Sequence, residues 1–274
     1  MVERFAPGIG VRAATRMWFT VPPAMPRSLL PPPPRGRDAH LELDGRMLYS
    51  TVWGAGPPVY LVHGWGGRSE QLGGFVAPLV AAGHRVVAFD APAHGASGPG
   101  RFGATSTIPE FASALHAAVL AHGRPHAVIA HSMGATATAF ALREGVRPGR
   151  LVLLAPMGDP RAMLGAFADQ LGLGTRVRAG LERSVQHRIG LPFEAFDVAA
   201  TAGVVAVPPT LVVHDRGDRE VASAESRTIA AAWPGSRLVL TEGLGHRKLL
   251  RDAGVLEDVV GFVRAPLRDH RGPA

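Results

Sequence analysis

Residues 126–143 read HAVIAHSMGATATAFALR. His126–Ala130 is a short run with an apolar core, the pattern of a buried strand. From Ser132 to Arg143 the chain is small and apolar without a breaker, and a helix is expected there. Between the two lies Ala130-His131-Ser132-Met133-Gly134. A serine on so sharp a strand-to-helix turn exposes its hydroxyl. Such a turn needs small residues two before and two after the serine, because side chains there collide with neighbouring backbone. Gly134 meets that need, and Ala130 meets it with the next smallest residue. The helix that starts at the serine also offers free N–H groups and a positive dipole end to developing negative charge. The plainer reading makes Ser132 a helix N-cap.

Outward from this turn the chain alternates between apolar strands and amphipathic helices. His40–Leu43 and Arg46–Trp53 read as a hairpin turning at Asp44-Gly45. PVYLVH (58–63) and RVVAFD (85–90) read as buried strands, and LVLLA (151–155), TLVVH (210–214) and RLVLT (237–241) as further strands. Helices are expected over 70–82, 107–121, 132–143, 222–233 and 255–263. Strands apolar on both faces belong to a mostly parallel sheet covered by helices, here with an antiparallel N-terminal edge hairpin. Between Ala155 and Val207 the rhythm breaks, with helical patterns at 161–171 and 176–189 but no strand. An insertion of this length between sheet strands is usually functional.

Three further stretches follow strands in an order that suits chemistry. His63-Gly64-Trp65-Gly66-Gly67 is a Gly-rich turn whose backbone N–H groups can face a bound carbonyl oxygen. The N–H groups of Trp65 and Met133 would then form an oxyanion hole. A phosphate loop is the alternative, but GxxxxGK[ST] is absent. His214-Asp215-Arg216-Gly217-Asp218 places carboxylates where one can orient an imidazole. Asp218 is preferred to Asp215, which sits where the chain is still leaving the strand, and Asp159 is a lesser rival. Gly243-Leu244-Gly245-His246 lets a loop lower an imidazole over Ser132. His131 adjoins the serine but points away on a sharp turn, and His94 reads as structural.

The order Ser132, Asp218, His246 is that of α/β-hydrolases and differs from those of chymotrypsin and subtilisin. With Asp90-Ala-Pro-Ala-His-Gly-Ala-Ser97, similar to the family's D-x-P-x-H-G-x-S loop, the chain resembles the α/β-hydrolase family over about residues 39–265. The resemblance implies a serine hydrolase acting on an ester-type bond of a small, apolar acyl substrate, without cofactor or metal. It also likens residues 156–206 to a helical cap. Met157, Met163, Leu164, Phe167, Leu171, Phe193 and Phe196 there line an acyl pocket or form the insertion's own core. Arg176, Arg178, Arg183 and Arg188 read as a solvated helix face. The same residues suit a lyase, a cofactor-free haloperoxidase or a ligand-binding protein that has kept the fold.

Composition narrows the partners. The 274 residues carry a net charge of +7, but Lys248 is the only lysine and the arginines are scattered singly. A nucleic-acid surface clusters its cations and interleaves aromatics, so no nucleic-acid partner is expected. With no cysteine, thiolate catalysis, disulfides and Cys-ligated metals are excluded. No transmembrane segment and no secretory pattern is legible, so a cytoplasmic location is expected. Residues 1–38 read as an arm preceding the unit at 39–274. A short helix is expected over Val11–Thr20, followed by extended, proline-rich chain. The arm is expected to pack along the surface; membrane-surface or partner contact by Met17, Trp18 and Phe19 is the alternative.

Overall fold

A computed structural model describes residues 7–23 and 33–265. Residues 1–6, 24–32 and 266–274 lie outside them, and with 24–32 go Pro26, Pro31 and Pro32 of the stretch expected to be extended.

Eight strands form one sheet: β1 (Arg37–Leu43), β2 (Arg46–Trp53), β3 (Pro58–Val62), β4 (Arg85–Phe89), β5 (Ala127–His131), β6 (Arg150–Leu154), β7 (Thr210–Asp215) and β8 (Arg237–Thr241). Their order across the sheet is β1-β2-β4-β3-β5-β6-β7-β8. β1 and β2 pair antiparallel, as do β2 and β4, and every other pairing is parallel. Strand residues point alternately to two apolar layers. Tyr60 and Val62 of β3, Val128 and Ala130 of β5, and Leu151 and Leu153 of β6 face one core. Val59, Leu61, Ala127, Ile129, Val152 and Leu154 face the other. The first core is covered by α3 (Ile108–His122), α4 (Met133–Arg143) and α7 (Ser223–Ala232), the second by α2 (Val76–Ala81) and α9 (Ala253–Arg264).

The expected helix over 70–82 is instead a 3₁₀ segment, Ser69–Phe75, followed by the six-residue α2. Gly73 and Gly74 sit at the junction. Glycine is a poor helix former, and a Cβ at Gly74 would approach the Leu250 carbonyl oxygen to 3.2 Å. Close packing of this turn against residues 249–251 decides its form over the sequence periodicity.

Between β6 and β7 stand α5 (Pro160–Gln170), α6 (Thr175–Ile189) and two 3₁₀ turns, Phe193–Phe196 and Ala199–Gly203. Helix α1 (Pro7–Phe19) begins four residues before the expected start and packs on this insertion. Ala14 and Phe19 share a small core with Leu164, Leu181, Val185 and Phe193. Arg188 departs from the solvated face expected of the α6 arginines. Its guanidinium lies 4.7 Å from the ring centroids of both Phe19 and Phe102 and donates to Thr105 Oγ1 at 3.1 Å. Among the described residues no helix is long and apolar enough to cross a membrane.

Candidate active site

The chain steps from β3 to β4 on one side and returns to β5 on the other, so the crevice at the carboxyl ends of β3 and β5 is the sheet's switch point. Two loops meet there, His63–Gly67 after β3 and the serine turn after β5. Ser132 has φ 54° and ψ −125°, a conformation that non-glycine residues rarely adopt. Its N–H donates to Leu154 O at 3.0 Å and its carbonyl accepts from Ala135 N at 2.9 Å, which fixes the turn from both sides. The need for glycine is steric. A Cβ at Gly134 would fall 2.4 Å from His63 O, and one at Gly64 would fall 2.8 Å from Ser132 Cβ. Ala130 is accommodated in the apolar core on the α3–α4 side.

His246 is the second residue of the short helix α8 (Gly245–Lys248) and is buried. Its Nδ1–H donates to Asp218 Oδ2 at 2.7 Å, and a neutral imidazole held in that tautomer has its acceptor lone pair on Nε2. Asp218 has a side chain fully shielded from solvent. Its Oδ1 accepts from the N–H groups of Glu220 at 2.8 Å and Val221 at 3.0 Å. Burial alone would raise its carboxyl pKa. Hydrogen bonds from His214 and His246 outweigh that and hold the group ionised, below the ordinary carboxylate range.

The rival Asp215 is spoken for elsewhere. It accepts from Gly217 N at 2.9 Å, Thr241 Oγ1 at 2.8 Å and Leu244 N at 2.9 Å, and so ties the end of β7 to the loop that carries His246. Asp159 caps α5 by accepting from Arg161 N at 2.8 Å. His131 donates from Nε2 to the carbonyl of His246 at 3.0 Å and holds that residue's backbone. Burial and the neighbouring His246 lower its pKa to about 3, so it stays neutral.

The Gly-rich turn rests on two further neutral imidazoles. Ala91 N–H donates to His63 Nε2 at 3.0 Å, and Gly66 N–H donates to His94 Nε2 at 3.1 Å. Each ring therefore carries its proton on Nδ1, where His63 donates to Gly64 O at 2.7 Å and His94 to Pro92 O at 2.9 Å. Burial lowers His63 to about 4 and His94 to about 3. Asp90 closes the same loop by accepting from Ser69 N and Ala96 N. Trp65 lies at this turn with its ring edge-on to His94, centroids 5.2 Å apart. Met133 is the first residue of α4, whose leading N–H groups have no partner within the helix.

Ser132, His246, Trp65 and Met133 line one cavity of about 650 Å³, together with Met157, Met163, Phe167 and Phe193 of the insertion. Leu164 and Phe196 turn into apolar cores instead, and Leu171 is exposed.

These observations can be set beside known proteins. The profile of the alpha/beta hydrolase family matches residues 59–259. The chain belongs to the alpha/beta hydrolase family. Solved alpha/beta folds similar to it include an esterase from Exiguobacterium antarcticum, 18% identical with a TM-score of 0.64, covering 84% of this chain and 100% of that one. A second is the esterase RhEst1 from Rhodococcus sp., 21% identical with a TM-score of 0.62, covering 84% and 98%. A third is a predicted CIB-like hydrolase from Thermoplasma acidophilum, 18% identical with a TM-score of 0.61, covering 84% and 98%. At such identities the likeness is one of fold. A search of curated proteins gives no match.

Two contributors to this alpha/beta hydrolase site escape the sequence reading. His214 ends the apolar part of β7 and is fully buried. Its Nε2 lies 3.2 Å from Asp218 Oδ2 and 3.1 Å from Val221 O, and its Nδ1 lies 2.6 Å from Ser226 Oγ. With the proton on Nε2 facing Asp218 and Val221 O, and Ser226 Oγ donating to Nδ1, all three contacts are served. A histidine inside an apolar strand, four residues ahead of Asp218, is the available signal, since a buried imidazole needs partners. The second is the end of α1. Trp18 and Phe19 line the cavity although they lie outside the matched family segment.

Proposed function

We propose that the protein is a serine hydrolase that cleaves an ester-type acyl bond of a small, apolar substrate. Ser132 is the nucleophile, His246 the general base and acid, and Asp218 the residue that fixes the imidazole's tautomer. The observation that carries this reading is the 2.7 Å Asp218–His246 hydrogen bond, made beside a strained serine that lines the same cavity.

His246 Nε2 takes the Ser132 hydroxyl proton as the oxygen adds to the acyl carbon. The N–H groups of Trp65 and Met133 receive the oxyanion, and Asp218 stabilises the imidazolium. His246 returns the proton to the leaving group, and an acyl-serine remains. Water then adds under the same base, and the acid product leaves. The preference for an apolar acyl group is supported by Met157, Met163, Phe167 and Phe193 in the cavity wall. In this reading residues 156–206 act as a cap, and the chain divides into an N-terminal arm, 1–38, and a hydrolase unit, 39–274. Two of the folds it resembles are esterases, in keeping with the assignment.

The test is hydrolysis of p-nitrophenyl esters from acetate to long acyl chains by wild type, Ser132→Ala and His246→Ala. Turnover that disappears in both variants, together with labelling of Ser132 by a phosphonate, is the expected result. Turnover that survives Ser132→Ala, or no turnover and no labelling in wild type, overturns it.

A further inference from the structure

We propose that helix α1, which the family profile does not cover, is a wall of the substrate cavity, and that Trp18 on it sets the preference for acyl-chain length. The proposal rests on the site assigned above as an acyl-binding site.

Helix α1 is joined to the insertion at three places. Val11 crosses α6 at Gly180 so closely that a Cβ on that glycine would lie 2.4 Å from Val11 Cγ2. The ring of Trp18 meets Phe167 of α5 edge-on, with centroids 5.3 Å apart. Phe19 is buried and covered by the Arg188 guanidinium.

The chain then continues from the insertion to the proposed oxyanion turn. Thr20 pairs with Thr105 in an antiparallel bridge. Pro22 follows, seated on Gly66 so that a Cβ there would meet Pro22 Cγ at 2.6 Å. Residues 18–22 therefore close the gap between the insertion and the Gly-rich turn, and their side chains complete the cavity that holds Ser132 and His246. Trp18 is only half-buried although it packs on Phe167, and it is one of the residues that line the cavity. An apolar chain of enough length gains contact with that indole, and a short one does not. The ligand class this favours is an unbranched or aryl-ended acyl group carrying its polar carbonyl at the Ser132 end.

Burial of each methylene contributes about a fourfold gain in affinity. The experiment measures dissociation constants of n-alkanoates, butanoate to decanoate, by calorimetry in the Ser132→Ala background. In that background no turnover is needed. In the parent, affinity is expected to rise with chain length. Trp18→Ala is expected to weaken decanoate about tenfold or more, the loss of roughly two methylenes' worth of contact, and to leave butanoate within about twofold. Trp18→Phe is expected to restore most of the difference.

A second pair of substitutions acts without touching the cavity. Gly180→Ala pushes Val11 and with it α1, and is expected to repeat the chain-length-selective loss. Adding Val11→Ala removes the collision and is expected to restore binding. If Trp18→Ala does not fold, the Gly180 and Val11 variants decide. Equal losses for short and long chains, no loss in either, or a parent indifferent to chain length overturn the proposal. The hydrolase reading is decided separately, by ester turnover with Ser132 intact: a chain-length effect on binding without turnover keeps the wall and removes the chemistry.

Discussion

Asp218→Asn is expected to lower kcat for ester hydrolysis about 10⁴-fold while leaving the fold in place. The carboxylate has two sets of partners. Oδ1 accepts from the N–H groups of Glu220 and Val221, and Oδ2 accepts from His246 Nδ1 and His214 Nε2. Asparagine has a single acceptor oxygen. With that oxygen turned to the loop, both backbone bonds survive and the NH₂ faces two imidazoles. In the opposite orientation the N–H groups of Glu220 and Val221 face an NH₂ and lose their acceptor, and the part-buried one, Val221, costs about 1–3 kcal/mol. A backbone amide cannot move its proton, but an imidazole can shift its own to the other nitrogen, so the first orientation is preferred. His246 then accepts at Nδ1 and carries its proton on Nε2, with no lone pair left for Ser132. A 10⁴-fold loss corresponds to about 5 kcal/mol of transition-state stabilisation. Asp215→Asn is the control, because every hydrogen bond described for Asp215 lies within the β7–β8 loops. It is expected to reduce stability by about 1–3 kcal/mol and to keep most of kcat. The assay is kcat on p-nitrophenyl butyrate with thermal melting of all three proteins. Retention of more than about a tenth of kcat by Asp218→Asn, or a comparable loss in Asp215→Asn, would refute the reasoning.

Stability is expected to fall as pH drops below about 6.5, the unperturbed histidine value. His63, His94 and His131 are neutral in the folded protein and have lowered pKa values of about 4, about 3 and about 3. The unfolded chain therefore binds more protons between those values and 6.5, and each histidine adds up to about 1.4 kcal/mol per pH unit. Urea midpoints at pH 7 and pH 5 measure this, and an unchanged or higher midpoint at pH 5 argues against it. Gly134→Ala places a Cβ 2.4 Å from His63 O and 2.8 Å from Val62 O, both backbone atoms of a packed strand end. A loss of about 1–3 kcal/mol and of most activity is expected, read by melting and by ester turnover. Ser132→Gly relieves the positive φ and is expected to raise the melting temperature above that of Ser132→Ala while abolishing turnover. An equal melting temperature for the two variants would show that the turn stores little strain. His214→Ala removes one of two imidazole donors from Asp218 and leaves Ser226 Oγ without its partner. A drop in stability of about 1–3 kcal/mol is expected with a shift in the pH profile of kcat, whereas a purely structural His214 would leave that profile unmoved.

The strand pattern was legible because two-sided burial leaves strands apolar at every position, and such runs stand out between turn residues. β3 to β8 fall within a residue or two of their expected places. The helix over 70–82 was misread because periodicity registers which faces are apolar and not how closely a neighbour approaches. Gly73 and Gly74 were the visible hint. Ser132, Asp218 and His246 stand out in the sequence because each follows a strand at the carboxyl edge of the sheet, and parallel topology gathers all such loops at one end. The structure brings the Asp218–His246 pair into hydrogen-bond contact and sets Ser132 beside it on the same cavity. Arg188 was misplaced because helical spacing cannot say that a second helix, from residues far away in the chain, lies over that face.

The sequence by itself determined the alternation of elements, the serine turn with its small flanking residues, and the chain order of Ser132, Asp218 and His246. These are local properties, written in side-chain size, apolar period and glycine placement within a few residues. Tertiary structure alone decided which carboxylate meets His246, since Asp215 and Asp218 differ in what distant loops bring to them. It alone decided that His63, His94 and His131 stay neutral beneath the site, because desolvation depends on everything packed around a ring. It also decided that α1 reaches the cavity: Trp18 meets Phe167 and Pro22 meets Gly66 across long stretches of chain, and contacts of that kind leave no period in the sequence.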